Sequence, residues 1–376
     1  PDDGSLPPAD QGGPPGDGSL PPADQGGPPD DGSLPPADQG GPPEDGSLPP
    51  ADQGGPPADG SLPPADQGGP EDLAEVPDGP TLPRDGATGP GDGALADGSP
   101  EDGGADGSAD GGLPGVVIRT MAANLTSGNY QRYDPGHGIR IFQGLRPDIV
   151  LIQEFSYEDS TARDLREFVD TAFGSDFEYF REPTGSIPNG VISRYPILGA
   201  GSWDDALAPD RGFAWAWLDV PGEQDLWVVS IHLLTASSTK RDQEAAQLVD
   251  LIQQHVPEED LLLVGGDLNT DVRGELCLET FGLLLDVAPP WPVDGAGNGN
   301  TNRSRARPYD WLLADADLEA RETPVRIGEA SFPHGLVFDS RVYEPLTDVH
   351  PVLRTDSDAV NMQHQAVVRD FLLPAD

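Results

Sequence analysis

A short run of glycine, acid and amide residues is the part of the chain best suited to chemistry. Segment 265–269 reads Gly-Gly-Asp-Leu-Asn and follows the apolar stretch 261–264, which predicts a buried strand. Glycine lets the backbone turn sharply, and residues two apart face the same side of an extended chain. Asp267 and Asn269 can therefore present a carboxylate and an amide to one point. The end of a strand suits a hydrolytic centre, but the same residue types are common in plain turns, which explain the pair better unless other parts of the chain support a site.

Other apolar segments begin or end with side chains of the same chemical kind. The set, in which every member is Asn, Asp, Glu or His, is Asn124, Glu154, His232, Asp267, Asn269 and Asp310. Carboxylate and amide oxygens are the ligands that Mg²⁺ and Mn²⁺ prefer. The sequence has no His-x-x-x-His or cysteine pair for zinc, and no Gly-x-Ser-x-Gly or glycine-rich phosphate loop. The set therefore favours hydrolysis assisted by a hard divalent cation.

Hydrophobic periodicity predicts the elements that position these residues. Helical spacing is predicted over 139–145, 159–173 and 239–256. Aromatic and β-branched runs predict strands over 116–121, 148–152, 177–180, 190–193, 212–220, 226–233, 261–264, 309–313 and 366–373. Many strands with few helices between them favour an α/β fold of two packed sheets covered by helices.

Composition divides the chain near Leu113. Residues 3–72 are five near-identical copies of a 14-residue motif whose one sizeable apolar residue is Leu. Such a repeat cannot bury enough surface to offset the entropy of ordering its chain, so residues 1–113 are predicted to be a disordered, acidic, Pro/Gly-rich linker. Residues 114–376 hold every Trp, Tyr and Phe and are predicted to form one monomeric catalytic domain.

The formal net charge is −45, and residues 1–113 contribute 24 acids and one base. This balance argues against a general nucleic-acid binder, although a metal ion can supply positive charge locally for a phosphate-bearing substrate. Cys277 stands alone, so an intrachain disulfide is excluded. No apolar run is long enough to span a bilayer. A tether ahead of an enzyme predicts an extracellular or surface-tethered protein, with any signal or anchor upstream of Pro1.

The order of six motifs resembles the endonuclease/exonuclease/phosphatase superfamily, which includes DNase I-like nucleases, inositol-phosphate phosphatases and sphingomyelinases. The motifs are Asn124, Asp-Ile-Val-Leu-Ile-Gln-Glu at 148–154, Asn-Gly-Val-Ile-Ser-Arg-Tyr-Pro-Ile at 189–197, Ser-Ile-His-Leu at 230–233, Gly-Asp-Leu-Asn at 266–269 and Tyr-Asp-Trp at 309–311. The resemblance covers residue 114 to the C-terminus. It implies a four-layered α/β/β/α sandwich of two mixed sheets, with the site at one end of both sheets.

The resemblance also implies a metal site and a group that handles water. Glu154 would be the main metal ligand, helped by Asn124, and Mg²⁺ or Mn²⁺ would polarise the phosphoryl oxygen. Asp267 would position or deprotonate the attacking water. Asn269 would hold the phosphate or that water.

Further roles follow from the same resemblance. His232 would donate to a phosphate oxygen, and Asn189 stands where its partner is often found. Asp310 would orient a final catalytic histidine. Separately, the arginines at 303, 305 and 307 form a small basic cluster in an acidic domain. A solvated loop explains them, but a forked guanidinium such as that of Arg307 would also suit a phosphate.

Two segments compete to supply the final histidine. The superfamily usually ends in Ser-Asp-His-x-Pro-Val, whereas segment 347–352 reads Thr-Asp-Val-His-Pro-Val and moves the histidine, His350, by one place. In an extended strand that shift turns the side chain to the opposite face. His364 opens the credible closing strand 366–373 but follows Gln363, where the family often has a metal-binding Asp. We favour His364, and the Gln at position 363 weighs against a second metal.

The function predicted is therefore metal-dependent hydrolysis of a phosphate ester, with nucleic acid the favoured substrate. A phospholipid hydrolase similar to sphingomyelinase, or a sugar-phosphate hydrolase, is the rival within that class. The alternative from another class of function is a displayed adhesion or scaffold module without catalysis. The joint presence of Glu154, His232, Asp267 and Asn269 argues against it, because a drifting site is expected to lose at least one of them.

Overall fold

A computed structural model describes residues 115–375 of the chain, and the linker predicted over residues 1–113 lies outside them. The strands, in chain order, are β1 (Gly115–Ala123), β2 (Ile149–Ile152), β3 (Glu178–Arg181), β4 (Gly190–Ser193), β5 (Ile197–Asp204), β6 (Gly212–Leu218), β7 (Leu226–His232), β8 (Leu261–Asp267), β9 (Asp310–Ala314), β10 (Glu322–Thr323), β11 (Val325–Ile327), β12 (Ala330–Phe332), β13 (Leu336–Phe338) and β14 (Ala366–Pro374). The α-helices are α1 (His137–Leu145), α2 (Ala162–Ala172), α3 (Ser238–His255), α4 (Leu276–Phe281) and α5 (Ala316–Glu319). None of these helices is long and apolar enough to cross a membrane.

The strands form two mixed sheets and a small ribbon. The first sheet has the order β10-β14-β1-β2-β4-β3, with β13 also paired to β14. The second has the order β5-β6-β7-β8-β9, and β11 pairs with β12. Within the sheets β1 runs parallel to β2, and β7 runs parallel to β8. Parallel neighbours end at the same edge of their sheet, which is the arrangement that collects polar strand ends into a site.

Side-chain alternation along the strands builds four layers. In β8, Leu261 and Leu263 pack in the core between the two sheets, whereas Leu262 and Val264 pack on the opposite side with residues of α3 and α4. The first sheet behaves in the same way, since its outer face packs with α1 and α2. Successive strand residues point to opposite faces, so an unbroken apolar run serves both cores at once. The two mixed sheets and their flanking helices confirm the predicted α/β/β/α sandwich.

The predicted elements are found with shifted ends, and some elements were missed. The helix predicted to begin at 159 begins at Ala162 because Thr161 caps it: the Thr161 hydroxyl accepts from the Asp164 amide, and the Asp164 carboxylate accepts from the Thr161 amide. Strand β5 was not predicted, since Gly199 and Gly201 weaken the strand signal. Helices α4 and α5 and the short strands β10 to β13 were also missed.

Candidate active site

Strand register in the second sheet brings three of the predicted site residues to one edge. His232, the last residue of β7, lies opposite Asp267 in the parallel pairing with β8. Asp267 in turn lies opposite Asp310, the first residue of β9, in an antiparallel pairing. The carboxyl end of two strands and the start of a third therefore meet at one place.

The first sheet delivers its polar residues to the same place. Ala123 at the end of β1 pairs with Ile152 at the end of β2, so Asn124 and Glu154 follow two neighbouring strands. The Asn124 amide Nδ2 donates to Glu154 Oε1 at 3.1 Å and to Asp267 Oδ2 at 3.2 Å. One buried amide thus joins a carboxylate of the first sheet to a carboxylate of the second.

Backbone conformation at the strand ends is unusual. Gly266 has φ +136°, and a Cβ at this position would collide with the carbonyl oxygen of Ile231. Glu154 and Asn269 have φ values of 53° and 52°, in the left-handed region that few non-glycine residues adopt. Asn269 is held there because its backbone N–H donates to Asp267 Oδ1 at 3.0 Å and its Nδ2 donates to the Leu233 carbonyl at 2.9 Å.

Two histidines converge on the Asp267 carboxylate. Nε2 of His232 lies 3.2 Å from Asp267 Oδ2, and Nε2 of His364 lies 3.4 Å from the same oxygen. The other ring nitrogen of His364, Nδ1, lies 3.1 Å from Asp310 Oδ2. All four side chains are buried. The arrangement fixes the ring of His364 between two carboxylates.

Burial and charge shift the pKa values of these groups in different directions. Burial raises the pKa of Asp267 to about 7 and also raises the pKa of Glu154. Burial alone would lower the pKa of His364, but the surrounding carboxylates, above all Asp267 and Asp310, raise it to about 10. The pKa of His232 is lowered well below its usual value by burial, then by Arg211 and His364. Near neutral pH, His364 is a cation and His232 is neutral.

Comparison with known proteins assigns the chain to a family. Residues 131–342 match the endonuclease/exonuclease/phosphatase family. The chain belongs to this family. Family membership makes it a phosphoesterase-type hydrolase, and such hydrolases typically depend on a divalent metal ion. A search of curated proteins finds no match to this sequence.

Solved structures of the endonuclease/exonuclease/phosphatase family are similar in fold. One from Beutenbergia cavernae DSM 12333 is 20% identical, with a TM-score of 0.47, over 69% of this chain and 72% of that chain. Another from Bacteroides vulgatus is 14% identical, with a TM-score of 0.48, over 69% of this chain and 99% of that chain. A third, from Bacteroides thetaiotaomicron, is 13% identical, with a TM-score of 0.45, over 69% and 99% of the two chains.

Of the two histidines that competed in the sequence, the structure places His364 in the site of this family member. His350 is exposed and follows a short 3-10 helix, Leu346–Val349, whose last residue packs against Gly144 of α1. His364 is buried and opens the segment that leads into β14. Gln363, between the buried Met362 and His364, is exposed and lines a surface pocket.

Asn189 and Arg307, predicted to bind substrate, make other contacts. The Nδ2 of Asn189 donates to the Gly212 carbonyl at 2.7 Å, and no described hydrogen bond joins it to His232. Its Oδ1 is buried without a hydrogen-bond partner among the described residues. Arg307 is exposed, and its guanidinium lies 2.5 Å from Asp271 Oδ1. Asn189 thus bonds the backbone at the start of β6, and Arg307 pairs with a surface carboxylate, while their predicted substrate contacts stay predictions.

Three residues that sequence reasoning missed complete the surroundings of the site. The Thr126 hydroxyl donates to Glu154 Oε2 at 2.8 Å, and Gln131 Nε2 donates to Glu154 Oε1 at 3.0 Å. Arg211 Nε donates to the His232 carbonyl at 2.5 Å. Thr126 follows Asn124 by two residues, a spacing that indicates a shared face. The loop conformation that brings Gln131 to Glu154 has no sequence signal.

The donor set fits a divalent cation. Glu154, Asp267 and Asp310 are buried carboxylates, and no ion pair among residues 115–375 joins any of them to a Lys or Arg. Asp310 Oδ1 is buried and lacks a hydrogen-bond partner in the described part of the chain. Asp267, Asp310 and His364 each offer a ligand atom within 4.8 Å of the others. His364 supplies one positive charge to a cluster of three buried carboxylates, so a further cation would stabilise them, and oxygen donors suit a hard ion.

Proposed function

We propose that this domain is a divalent-metal-dependent phosphodiesterase that acts on nucleic acid, with Mg²⁺ or Mn²⁺ as its ion. The observation that carries the proposal is the environment of one atom, Asp267 Oδ2. It is approached by Nδ2 of Asn124 and by Nε2 of both His232 and His364. This carboxylate oxygen and the three nitrogen atoms around it can hold a water molecule and a phosphoryl group side by side.

Glu154, with Asn124 beside it, would hold the metal ion together with the neighbouring carboxylates. The ion supplies charge stabilisation for the phosphoryl oxygens. In the structure Asn124 turns Nδ2 toward both carboxylates, and amide orientation is assigned from the hydrogen-bond network. A rotation of the amide by half a turn would present its oxygen to a cation instead.

The residues of the chain divide the proton chemistry between them. Asp267, whose pKa is about 7, is suited to accept a proton from an attacking water at neutral pH. His364, held as a cation by Asp310 and Asp267, places a positive donor at the same point, where negative charge develops in phosphoryl transfer. The neutral ring of His232 adds a hydrogen bond without adding charge. The backbone N–H of Asn269 donates to Asp267 Oδ1 and keeps that carboxylate oriented.

Nucleic acid is proposed because Arg303 lies beside the site, in a surface pocket whose wall includes Tyr309, and the ring centre of Tyr309 lies 5.6 Å from that of His364. Arg305 and Arg307 precede the same strand, β9, but are each paired with carboxylates, Arg305 with Asp294 and Asp339, and Arg307 with Asp271. Forked guanidinium groups suit a substrate that carries several phosphates. A sugar phosphate or a phospholipid headgroup shares part of this chemistry, so these classes belong in the test.

The test is an assay of the purified full chain on plasmid DNA, RNA, sphingomyelin, inositol phosphates and bis-p-nitrophenyl phosphate, with Mg²⁺, Mn²⁺ or EDTA. Turnover of DNA or RNA that needs the ion, and that is lost in Asp267→Ala, supports the proposal. Asp176→Ala, which removes an exposed carboxylate, is the matched control. Turnover of none of these substrates, or full activity of Asp267→Ala, contradicts the enzyme assignment and favours the scaffold alternative.

A further inference from the structure

An open pocket of about 640 Å³ lies beside His364, outside the carboxylate cluster. Its lining includes Asn302, Arg303, Tyr309, Arg341, Asn361 and Gln363. The ring centre of Tyr309 lies 5.6 Å from that of His364, so the pocket and the active site share a wall. The pocket is large enough for a phosphate group with an attached sugar.

The pocket wall is tied to the backbone that carries His364. The Arg303 amide donates to the Gln363 carbonyl at 2.7 Å, and the Gln365 amide donates to the Thr301 carbonyl at 2.7 Å. Between these bonds Asn302 pairs with His364 in an isolated β-bridge. A group bound in the pocket is therefore held at a fixed position relative to His364.

Arg303 gives the pocket a positive charge that is weakly neutralised. Its side chain is 45% exposed, and its nearest carboxylate, Asp358, is 58% exposed and lies 3.6 Å away. Its guanidinium otherwise contacts the backbone carbonyls of Val360 and Asp358. An ion pair between two exposed groups contributes little, so the guanidinium remains available to an anion. Arg341, by contrast, is held by Asp339 at 2.8 Å.

Gln363 removes a negative charge from the same pocket. In the superfamily pattern the residue before the final histidine is often Asp, and here it is a neutral, exposed amide that lines the pocket. A carboxylate beside Arg303 would compete with an incoming anion. The amide instead offers two hydrogen-bond donors to phosphate oxygens.

We propose that this pocket binds a second phosphate of the substrate, next to the phosphate that is cleaved, through Arg303 and Gln363. The proposal rests on the phosphodiesterase function proposed above and narrows it. The preferred substrates are diesters flanked by another phosphate, such as internal linkages of a polynucleotide, rather than isolated diesters. The site is thereby selective for position within a chain.

Binding measurements test the pocket separately from catalysis. The probes are a thymidine dinucleotide whose linkage is a phosphorothioate that resists hydrolysis, the same dinucleotide with a 5′-phosphate, and the same with a 3′-phosphate. Calorimetry on the full chain should show that one terminal phosphate strengthens binding about tenfold, as expected for a hydrogen-bonded phosphate–guanidinium pair. Equal affinity for all three probes would overturn the proposal.

Substitutions test which residues bind the terminal phosphate. In Arg303→Ala and in Gln363→Asp the advantage of the terminal phosphate should disappear, because the first removes the cation and the second restores an opposing charge. Arg326→Ala removes an exposed arginine from β11 and should keep the advantage. If Arg303→Ala keeps it as well, the pocket is not the phosphate site. Circular dichroism confirms that the variants are folded.

Further measurements distinguish a polynucleotide from a sugar phosphate as the ligand, and test the pocket proposal separately from the catalytic proposal. Inositol bisphosphate that binds more tightly than both phosphorylated dinucleotides would overturn the choice of a polynucleotide and assign the pocket to a sugar phosphate. Hydrolysis of bis-p-nitrophenyl phosphate, which has no second phosphate, tests the phosphodiesterase function alone. If that turnover is absent but binding keeps its dependence on Arg303, the catalytic proposal fails and the pocket stands.

Discussion

Nδ1 of His364 lies 3.1 Å from Oδ2 of Asp310, and both side chains are buried. The pair crosses from the first sheet to the second, since His364 precedes β14 and Asp310 begins β9. A carboxylate on one ring nitrogen fixes the orientation of the imidazole and favours its protonated form. The other nitrogen is thereby directed to Asp267.

His364→Ala is expected to lower kcat/KM by about 10²- to 10⁴-fold, the range associated with loss of a positioned proton donor. His350→Ala should retain activity within about threefold, because His350 is exposed and outside the cluster. Steady-state kinetics on bis-p-nitrophenyl phosphate, with melting temperatures as a folding control, makes the comparison. A large loss in His350→Ala with none in His364→Ala would reverse the assignment.

Asp310→Asn is expected to lower activity most at high pH. The pKa of His364 is raised to about 10 with Asp310 among the causes, so loss of that charge lowers the pKa of His364. The imidazole then loses its proton at a lower pH than in the wild type. The alkaline limb of the pH profile of kcat should therefore move to lower pH, which a change in folding alone would not produce. An unmoved limb would show that His364 titration does not limit turnover.

Much of this fold was predictable because its strands carry strong local signals. The run Ile-Val-Leu-Ile of β2 is apolar on both faces and serves the core between the sheets and the core under the helices together. Strand β5 lacked such a signal. Its Gly201 is covered by the indole of Trp215 from β6, a tertiary contact that compensates for the missing side chain and is absent from the local sequence.

The site was predictable to the extent that strand ends define it. Asp267 and His232 were each predicted at the end of a strand, and the resemblance implied a shared site, whereas their register pairing is seen only in the structure. Asn189 shows the limit, since its amide bonds the Gly212 carbonyl and its role depends on which strand lies beside it. Gln131 shows the same limit of prediction from sequence, because its left-handed φ of 56° and its contact with Glu154 arise from the fold of a loop.

Addition of Mg²⁺ or Mn²⁺ is expected to raise the melting temperature. Glu154, Asp267 and Asp310 are buried carboxylates without a Lys or Arg partner in the described part of the chain, and a cation that binds the folded state relieves their repulsion. An ion at about 100 times its Kd stabilises by about 2.7 kcal/mol. Scanning fluorimetry with and without EDTA measures the shift.

Glu154→Gln should lose most of this metal-dependent shift, because it removes the charge proposed to hold the ion. Glu258→Gln, at an exposed position, should keep it. An equal shift in both variants would place the ion elsewhere.

Glu244 is expected to make the stability of the domain fall as pH rises. Its side chain is fully buried, and burial followed by nearby Asp205 raises its pKa to about 8. A raised folded-state pKa means that the folded chain holds the proton more tightly, so the stability is fully present below about pH 4.5 and is lost progressively up to about pH 8. Glu244→Gln keeps an acceptor for the Leu234 amide without the charge. Urea unfolding in EDTA should show the variant more stable than the wild type by on the order of 2 kcal/mol at pH 9, and no such gain at pH 4.

Gly266→Ala is expected to damage both the fold and the site. The position has φ +136°, which an L-residue rarely adopts, and the added methyl group would collide with the Ile231 carbonyl and the Gln153 amide. Relief requires β7 and β8 to separate where His232 faces Asp267. We expect a loss of about 3 kcal/mol in unfolding free energy and a fall in kcat, measured by urea titration and steady-state kinetics.

Gly274→Ala is the matched control, because a Cβ there meets no atom within 4 Å, and it should change stability by less than about 0.5 kcal/mol. Equal effects of the two substitutions would show that the turn before Asp267 does not require glycine.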